Sequence, residues 1–251
     1  MVRFEEKEHV YKSDNNINWT SVTTFIGLFK EKFDALSAAK KTIKNKNSKW
    51  YKMTVEDVLK AWEEENKKSL ELGNWYHKKK EEELISKEKI ERDGVSLNII
   101  KPVVRNGIKY SINQELKEGI YPEHIIYMES IGLCGQSDLV EIVNNKINVY
   151  DYKTNKEIKI KSFVNWEGKS QKMKPPLSHL DDCNFNHYAL QLSFYAFMIK
   201  KHNPKLTVNK LQLHHIKFND SEEVVNYDLP YLKNEIENLV IFAKNNGYKT
   251  F

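Results

Sequence analysis

The sequence predicts a single α/β domain, and three observations carry that expectation. A segment of helical character over about residues 68–89 precedes a run of strands and turns from Val95 to Val149. NHYALQLSFYAFMIKK, Asn186 to Lys201, is apolar on nearly every face and so reads as a buried helix. Leu211 to Phe218 then reads as one more strand. The chain has 251 residues, enough for one sizeable core.

Each element follows from local signals. The first 35 residues read as a strand or turn, then a short helix in SVTTFIGLFKEKF. The basic, Asn-rich stretch Lys40 to Lys49 reads as solvated surface or loop. Thr54 opens a helix: Asp57 stands at the capping-box position, and Val55, Val58, Leu59 and Trp62 recur at helical spacing. The next helical segment ends at Arg92-Asp93-Gly94. Asp151 to Asp182 is a long basic connection containing Pro175-Pro176. Tyr231 to Lys244 is a final amphipathic helix, with Gly247 just beyond it. No internal repeat is present.

Composition narrows the class. With 40% hydrophobic and 30% charged residues the expectation is a soluble globular protein. The net charge of +5 leans toward an anionic partner. Cys134 and Cys183 are the only cysteines, which excludes a four-cysteine zinc or iron–sulfur site built within the chain. A reducing compartment fits; a single disulfide stays open. The N-terminus lacks a signal-peptide apolar region, and no apolar run approaches the roughly 18 residues of a membrane span. The expected setting is intracellular and soluble, with no membrane partner.

The stretch GQSDLVEIVNNKINVYDYKTNK, Gly135 to Lys156, carries the chemistry. If Asn144-Asn145 form a two-residue hairpin turn, paired positions sum to 289 and Asp138 falls opposite Asp151. Val140 then faces Val149 and Ile142 faces Ile147. One face of the hairpin is apolar until it ends in two carboxylates roughly 5 Å apart at Cβ. Lys153 lies on the same face; a four-residue loop would instead set Asp138 opposite Lys153 and keep all three residues on that face. Like charges at the edge of an apolar face destabilise unless offset. Lys153 as an ion-pair partner is one offset; a divalent cation taking both carboxylates, Mg²⁺ or Mn²⁺ by ligand hardness, is the other.

The pattern GQSD, twelve residues, then DYK resembles the PD-(D/E)XK nuclease motif. Upstream, Gly73-Asn-Trp-Tyr-His77 resembles the G-x-x-x-H helix of the RecB-like branch. Downstream, Gln191-Leu-Ser-Phe-Tyr195 resembles its Q-x-x-x-Y helix. Thr20-Ser21-Val22-Thr23 is similar to the SVT segment of mitochondrial genome maintenance exonucleases and their phage relatives. Together these motifs span residues 20 to 195. Some RecB-like nucleases carry a four-cysteine iron–sulfur cluster, for which this chain lacks the cysteines.

The resemblance implies a restriction-endonuclease-like core, a mixed central sheet flanked by helices in the order α-β-β-β-α-β. One nuclease domain would then span 1–251, with an N-terminal helical, DNA-contacting region (1–67), a core (68–220) and a C-terminal helix (221–251). It implies a Mg²⁺- or Mn²⁺-dependent phosphodiester hydrolase, without zinc. Such an enzyme would most readily be an exonuclease on single-stranded DNA or DNA ends, in replication, recombination or repair, in a bacterial or virus-infected cell. A structure- or sequence-specific endonuclease, and a binding module that lost catalysis, are the alternatives. The intact Asp138, Asp151 and Lys153 set speaks against the last.

The implied roles fall on named residues. Asp138, Asp151, the Tyr152 carbonyl and His77 would ligate the metal, with the Tyr152 side chain packing on the opposite face. Lys153 would stabilise charge at phosphorus or position water. Glu81, one turn after His77, would hold it or ligate through water. Gln191 and Tyr195 share a helix face, and the buried Gln191 amide needs a partner such as the site lysine, acids or substrate phosphate. Ser21 and Thr23 would contact the DNA backbone, compatibly with a helix N-cap at Ser21. Thr154, Lys156 and Lys174 are further nucleic-acid candidates. From Lys153 to Lys174 seven lysines stand against two acids, with Phe163 and Trp166 interleaved. This suits either a segment that follows a single strand and closes over it as an arch or a solvated loop.

Overall fold

The structure is a computed structural model that describes residues 1–6, 8–15, 17–165, 167–218 and 221–246. In chain order the elements are β1 (Val2–Glu5), β2 (Val10–Ser13), β3 (Asn18–Ser21), α1 (Val22–Gly27), α2 (Ala35–Thr42), α3 (Val55–Ile85), β4 (Lys89–Arg92), β5 (Val95–Asn98), β6 (Val103–Arg105), β7 (Ile108–Tyr110), β8 (Gly119–Met128), β9 (Leu133–Val143), β10 (Lys146–Lys153), α4 (Asn184–His202), β11 (Thr207–Phe218), β12 (Glu222–Asp228) and α5 (Lys233–Asn245). The architecture is mixed α/β, with a large mixed central sheet and helices packed on it.

The Asn-Asn turn fixes the centre of the sheet. Asn144 and Asn145 both adopt the left-handed conformation, φ 50° and 59°, as a two-residue hairpin turn requires. The resulting β9–β10 register pairs Val143 with Lys146, Ile142 with Ile147 and Val140 with Val149, as the sequence predicts. Those four valine and isoleucine partners, Val140, Val149, Ile142 and Ile147, are buried in the main core. α4 covers that face, with Ala189, Leu190, Leu192 and Phe194 fully buried. Each buried Leu or Phe contributes roughly 1.5–3 kcal/mol. β11 returns parallel to β10, and β12 pairs antiparallel beyond it.

The long-range pairings create a fork. β8 lies along one edge of β9 from Leu133 to Ile142. The other edge is shared. β10 pairs with β9 only from Leu139 to Val143, and β3 joins in parallel at Leu133 and Cys134. Gly135 to Asp138 fall between the two partners.

Several boundaries differ from expectation. The first 67 residues are not purely helical, since β1–β3 form an antiparallel run joined to the sheet. The expected helices around Thr54 and from residue 68 are one 31-residue helix, α3, capped by the Thr54 hydroxyl accepting from the Asp57 N–H. No Pro interrupts it, so it crosses the boundary drawn at 67/68. It stops at Ile85. Arg92-Asp93-Gly94 instead turns the β4–β5 hairpin, with Asp93 and Gly94 at φ 49° and 76°. α2 takes up the start of the basic stretch from Lys40. β12 adds a sheet strand within the segment expected to hold only a C-terminal helix. Cys134 and Cys183 are both free and buried. Among the described residues no helix is long and apolar enough to cross a membrane. Trp166 and Gly247 lie outside the described residues.

Candidate functional site

The fork beside Gly135–Asp138 opens a cleft of about 630 Å³, walled by β1–β2, α1, α3 and α4. Three carboxylates line up across its floor. β8–β9 pairing brackets Glu123 between Pro122↔Leu139 and His124↔Ser137, directly opposite Asp138. One step past the last hairpin pair, Asp151 lies on the other side of Asp138. Glu123 has φ 50°, a conformation non-glycine residues adopt at some cost and that recurs at functional sites.

The strand split leaves donors that the site residues satisfy. The Tyr152 N–H has lost its ladder partner and donates to Asp138 Oδ2 at 2.7 Å. Asp138 Oδ1 lies 3.1 Å from His77 Nδ1. Lys153 forms an ion pair with Asp151. Its Nζ also donates to the Tyr152 carbonyl at 3.4 Å. The Gln191 amide nitrogen donates to Asp151 Oδ1 and to the Tyr195 hydroxyl, both at 3.3 Å. The glutamine, half-buried, has an acidic partner in Asp151. The Tyr152 ring points to the opposite face and packs with Tyr76 and Ile216, as expected.

Glu81 differs from expectation. It does not hold His77; its carboxylate accepts from Lys109 at 2.8 Å, and Lys109 also reaches Glu123 at 3.4 Å. The lysine, lying between two acids, is the stronger partner. Glu123 further accepts from the Gln136 amide at 2.6 Å.

The cleft is electrostatically loaded. Asp138 pushes His77 up to about 9, against the opposing effect of burial. Burial acts to raise Asp138, but His77 and Lys153 outweigh it and hold the carboxyl low. Burial pushes Asp151 up to about 6 although Lys153 pulls the other way. Glu123 is driven to about 8 by burial and by Asp138. Burial acts to lower Lys153, but Asp151 and Asp138 keep it charged. His77, Glu123 and Asp138 offer ligand atoms within 4.8 Å of one another. A larger groove of about 870 Å³ between α5 and the C-terminal end of α4 gathers no such set among the described residues.

The proposed nucleic-acid contacts divide. Thr23 lines the cleft, and Ser21 caps α1 by accepting from the Thr24 N–H at 3.0 Å. Thr154, Lys156 and Lys174 do not line it among the described residues. Thr154 sits beside Gly73 of α3, Lys156 is exposed, and Lys174 is 3.8 Å from Glu31. Among the described residues of the basic connection from Lys153 to Lys174, only Lys153 lines the cleft. Ile158, Met173 and Leu177 bury their side chains and anchor the segment. Lys172 pairs with Asp181 at 2.7 Å and Lys169 with Glu167 at 2.8 Å. Phe163 is 72% exposed, away from the carboxylates' cleft lining.

The sequence reading missed Glu123, Lys109 and Gln136, and with them Lys30, Asp182 and His187. His187 had a signal, since it stands four residues before Gln191 on the same helix face. Glu123 had a weaker one, a charge inside the apolar strand GIYPEHIIYM.

Gly135 ties the motif residues together. A Cβ there would stand 2.5 Å from the Tyr195 ring. Gly135→Ala is expected to destabilise by about 1–3 kcal/mol through overpacking and to displace Tyr195 from Gln191. Urea denaturation measures the first effect, and a midpoint equal to wild type would contradict it.

A scan against protein-family models and a search of curated proteins find no match to the chain.

Proposed function

We propose that the protein is a metal-dependent DNA nuclease of the PD-(D/E)XK class, RecB-like branch, acting on single-stranded DNA or DNA ends. The observation that carries this reading is the meeting of Glu123, Asp138, Asp151 and Lys153 with His77 in one cleft. The helix, three strands, helix and strand formed by α3, β8–β10, α4 and β11 follow the order of the restriction-endonuclease-like core. The G-x-x-x-H and Q-x-x-x-Y helices supply His77 and Gln191 to the same cleft, which supports the branch.

The donor set fits a hard divalent cation. Three carboxylates crowd together, and Glu123 is driven toward its neutral form beside Asp138. Carboxylate oxygens, a carbonyl and one imidazole suit Mg²⁺ or Mn²⁺. His77, Glu123, Asp138, Asp151 and the Tyr152 carbonyl would hold it. When bound, the ion supplies Lewis acidity toward a phosphoryl oxygen and lowers the pKa of a coordinated water.

The chain's own residues do the rest. Lys153 keeps a positive charge beside Asp151, where it stabilises an oxyanion developing on phosphorus. Gln191 fixes the orientation of Asp151, and Tyr195 in turn fixes Gln191. The Tyr152 N–H and His77 pin the two Asp138 oxygens.

Labelled linear single strands, linear duplex and closed single-stranded circles, each with and without Mn²⁺, test the reading on one gel. Mn²⁺-dependent loss of the linear single strands is the expected result. Efficient cutting of circles would move the assignment to an endonuclease. No metal-dependent cleavage of any of the DNAs would overturn it and leave a binding module.

A further inference from the structure

A second polar cluster lies in the cleft, away from the three carboxylates. Its centre is Asp182, whose side chain is only 5% exposed. One Asp182 oxygen accepts from the Glu31 N–H at 2.8 Å and the Gln171 amide at 3.1 Å. The other is 2.6 Å from His187 Nε2. The carboxylate is thereby satisfied by three donors, none of them Lys30.

Lys30 follows α1 and lines the same wall. It is half-buried, and its ammonium has no hydrogen bond or ion pair among the described residues. Burial holds its pKa down, with Asp182 as the opposing charge. A lysine head in that condition is short of an anion. His187 Nε2 donates to Asp182, and its Nδ1 has no partner among the described residues; burial and Lys30 hold the ring's pKa down, so Nδ1 becomes a donor only when an arriving anion draws a proton onto it. Thr23 adds a hydroxyl to this wall.

Spacing relates this cluster to the carboxylates. His187 precedes Gln191 by one helical turn, about 6 Å along the axis, and Gln191 touches Asp151. That step is comparable with the distance between adjacent phosphates of one extended strand.

We infer that Lys30 and His187, positioned by Asp182, form an anion subsite for the phosphate next to the one at the metal centre. The inference rests on the nuclease reading. It adds a strand-positioning element that sets which bond reaches the carboxylates. The ligand chemistry is a phosphate oxyanion, either an internal diester or a terminal monoester.

The test measures binding of short single-stranded oligonucleotides to the full chain in EDTA, across a salt series. Lys30→Ala should weaken binding about tenfold or more. It should also flatten the log–log salt slope by about 0.7, one phosphate contact. His187→Ala should weaken it less, and Lys30→Arg should retain most of the affinity. An oligonucleotide with a neutral methylphosphonate at the adjacent position should lose affinity for wild type and lose nothing further on Lys30→Ala. If removing a 5′- or 3′-terminal phosphate has that effect instead, the subsite takes the strand end. In cleavage assays, KM should rise more than kcat falls. Unchanged affinity and salt slope in both Ala variants, with wild type still binding and cutting, would overturn the subsite and leave the nuclease reading standing. Wild type that neither binds nor cuts DNA would overturn both.

Discussion

Asp138→Asn is expected to lower cleavage at least about 10³-fold while the chain stays folded, the scale seen when a preorganised charge is removed from an active site. The substitution keeps volume and shape. Its remaining oxygen still accepts from the Tyr152 N–H, the contact that closes the strand fork. What it loses is the charge facing His77 at 3.1 Å and one carboxylate of the donor set. His77 then drops from about 9 toward its ordinary value, because Asp138 is the largest cause of its rise. Stability should move by no more than about 1–2 kcal/mol, since a lost ion pair with His77 and the relieved burial of a charged carboxylate oppose each other. Asp151→Asn should be equally inactive. Lys153→Ala should stop turnover while disturbing metal affinity less, as the lysine is no ligand. Single-turnover rates in Mn²⁺, with urea melts alongside, check all three. Wild-type cleavage by either Asn variant would be fatal to the assignment.

The hairpin was legible because its information is local. Two asparagines tolerate positive φ, the strands alternate with period two, and a single register puts every apolar side chain on one face. α4 was legible for a similar reason, being apolar all round. The fork was not, because it depends on Thr20 and Ser21 pairing with Leu133 and Cys134 more than a hundred residues away. Glu123 stayed hidden behind the same difficulty. Its position opposite Asp138 needs the β8–β9 register, set by a 3-10 turn at Glu129–Ile131 and by Gly132 at φ 60°. Nothing in the sequence alone marks that turn as closing a hairpin. Lys109 was invisible for want of a partner nearby in the sequence, since its two acids, Glu81 and Glu123, come from different elements. The basic connection misled for the opposite reason. Its lysine count reads as a strand-following arch or a solvated loop, but three scattered apolar residues, Ile158, Met173 and Leu177, anchor it, and scattered anchors show no period.

Glu123→Gln should move metal affinity and metal-free stability in opposite directions. In wild type, burial and Asp138 raise this carboxyl from about 4.5 to about 8. The folded chain therefore holds a proton that the unfolded chain releases between those values. The sign follows: the stability associated with this group is complete below about pH 4.5 and is lost as pH rises through about 8. At about 1.4 kcal/mol per pH unit, discounted for Lys109 and the Gln136 amide, the loss is on the order of a few kcal/mol. Glutamine cannot ionise, so in EDTA the variant should be more stable than wild type near pH 8 and close to it near pH 5. The same change removes a ligand charge, and Mn²⁺ affinity should fall by about 10²-fold or more. A stability cost held at a functional site, released by the substitution that disables it, is the trade expected of a crowded metal pocket. Calorimetric Mn²⁺ titration and urea melts at the two pH values measure both halves. Equal Mn²⁺ affinity would remove Glu123 from the donor set. An unchanged pH slope would mean that Glu123 is ionised in the metal-free cleft, with Lys109 as its counter-ion, and that the cleft needs no cation to relieve it.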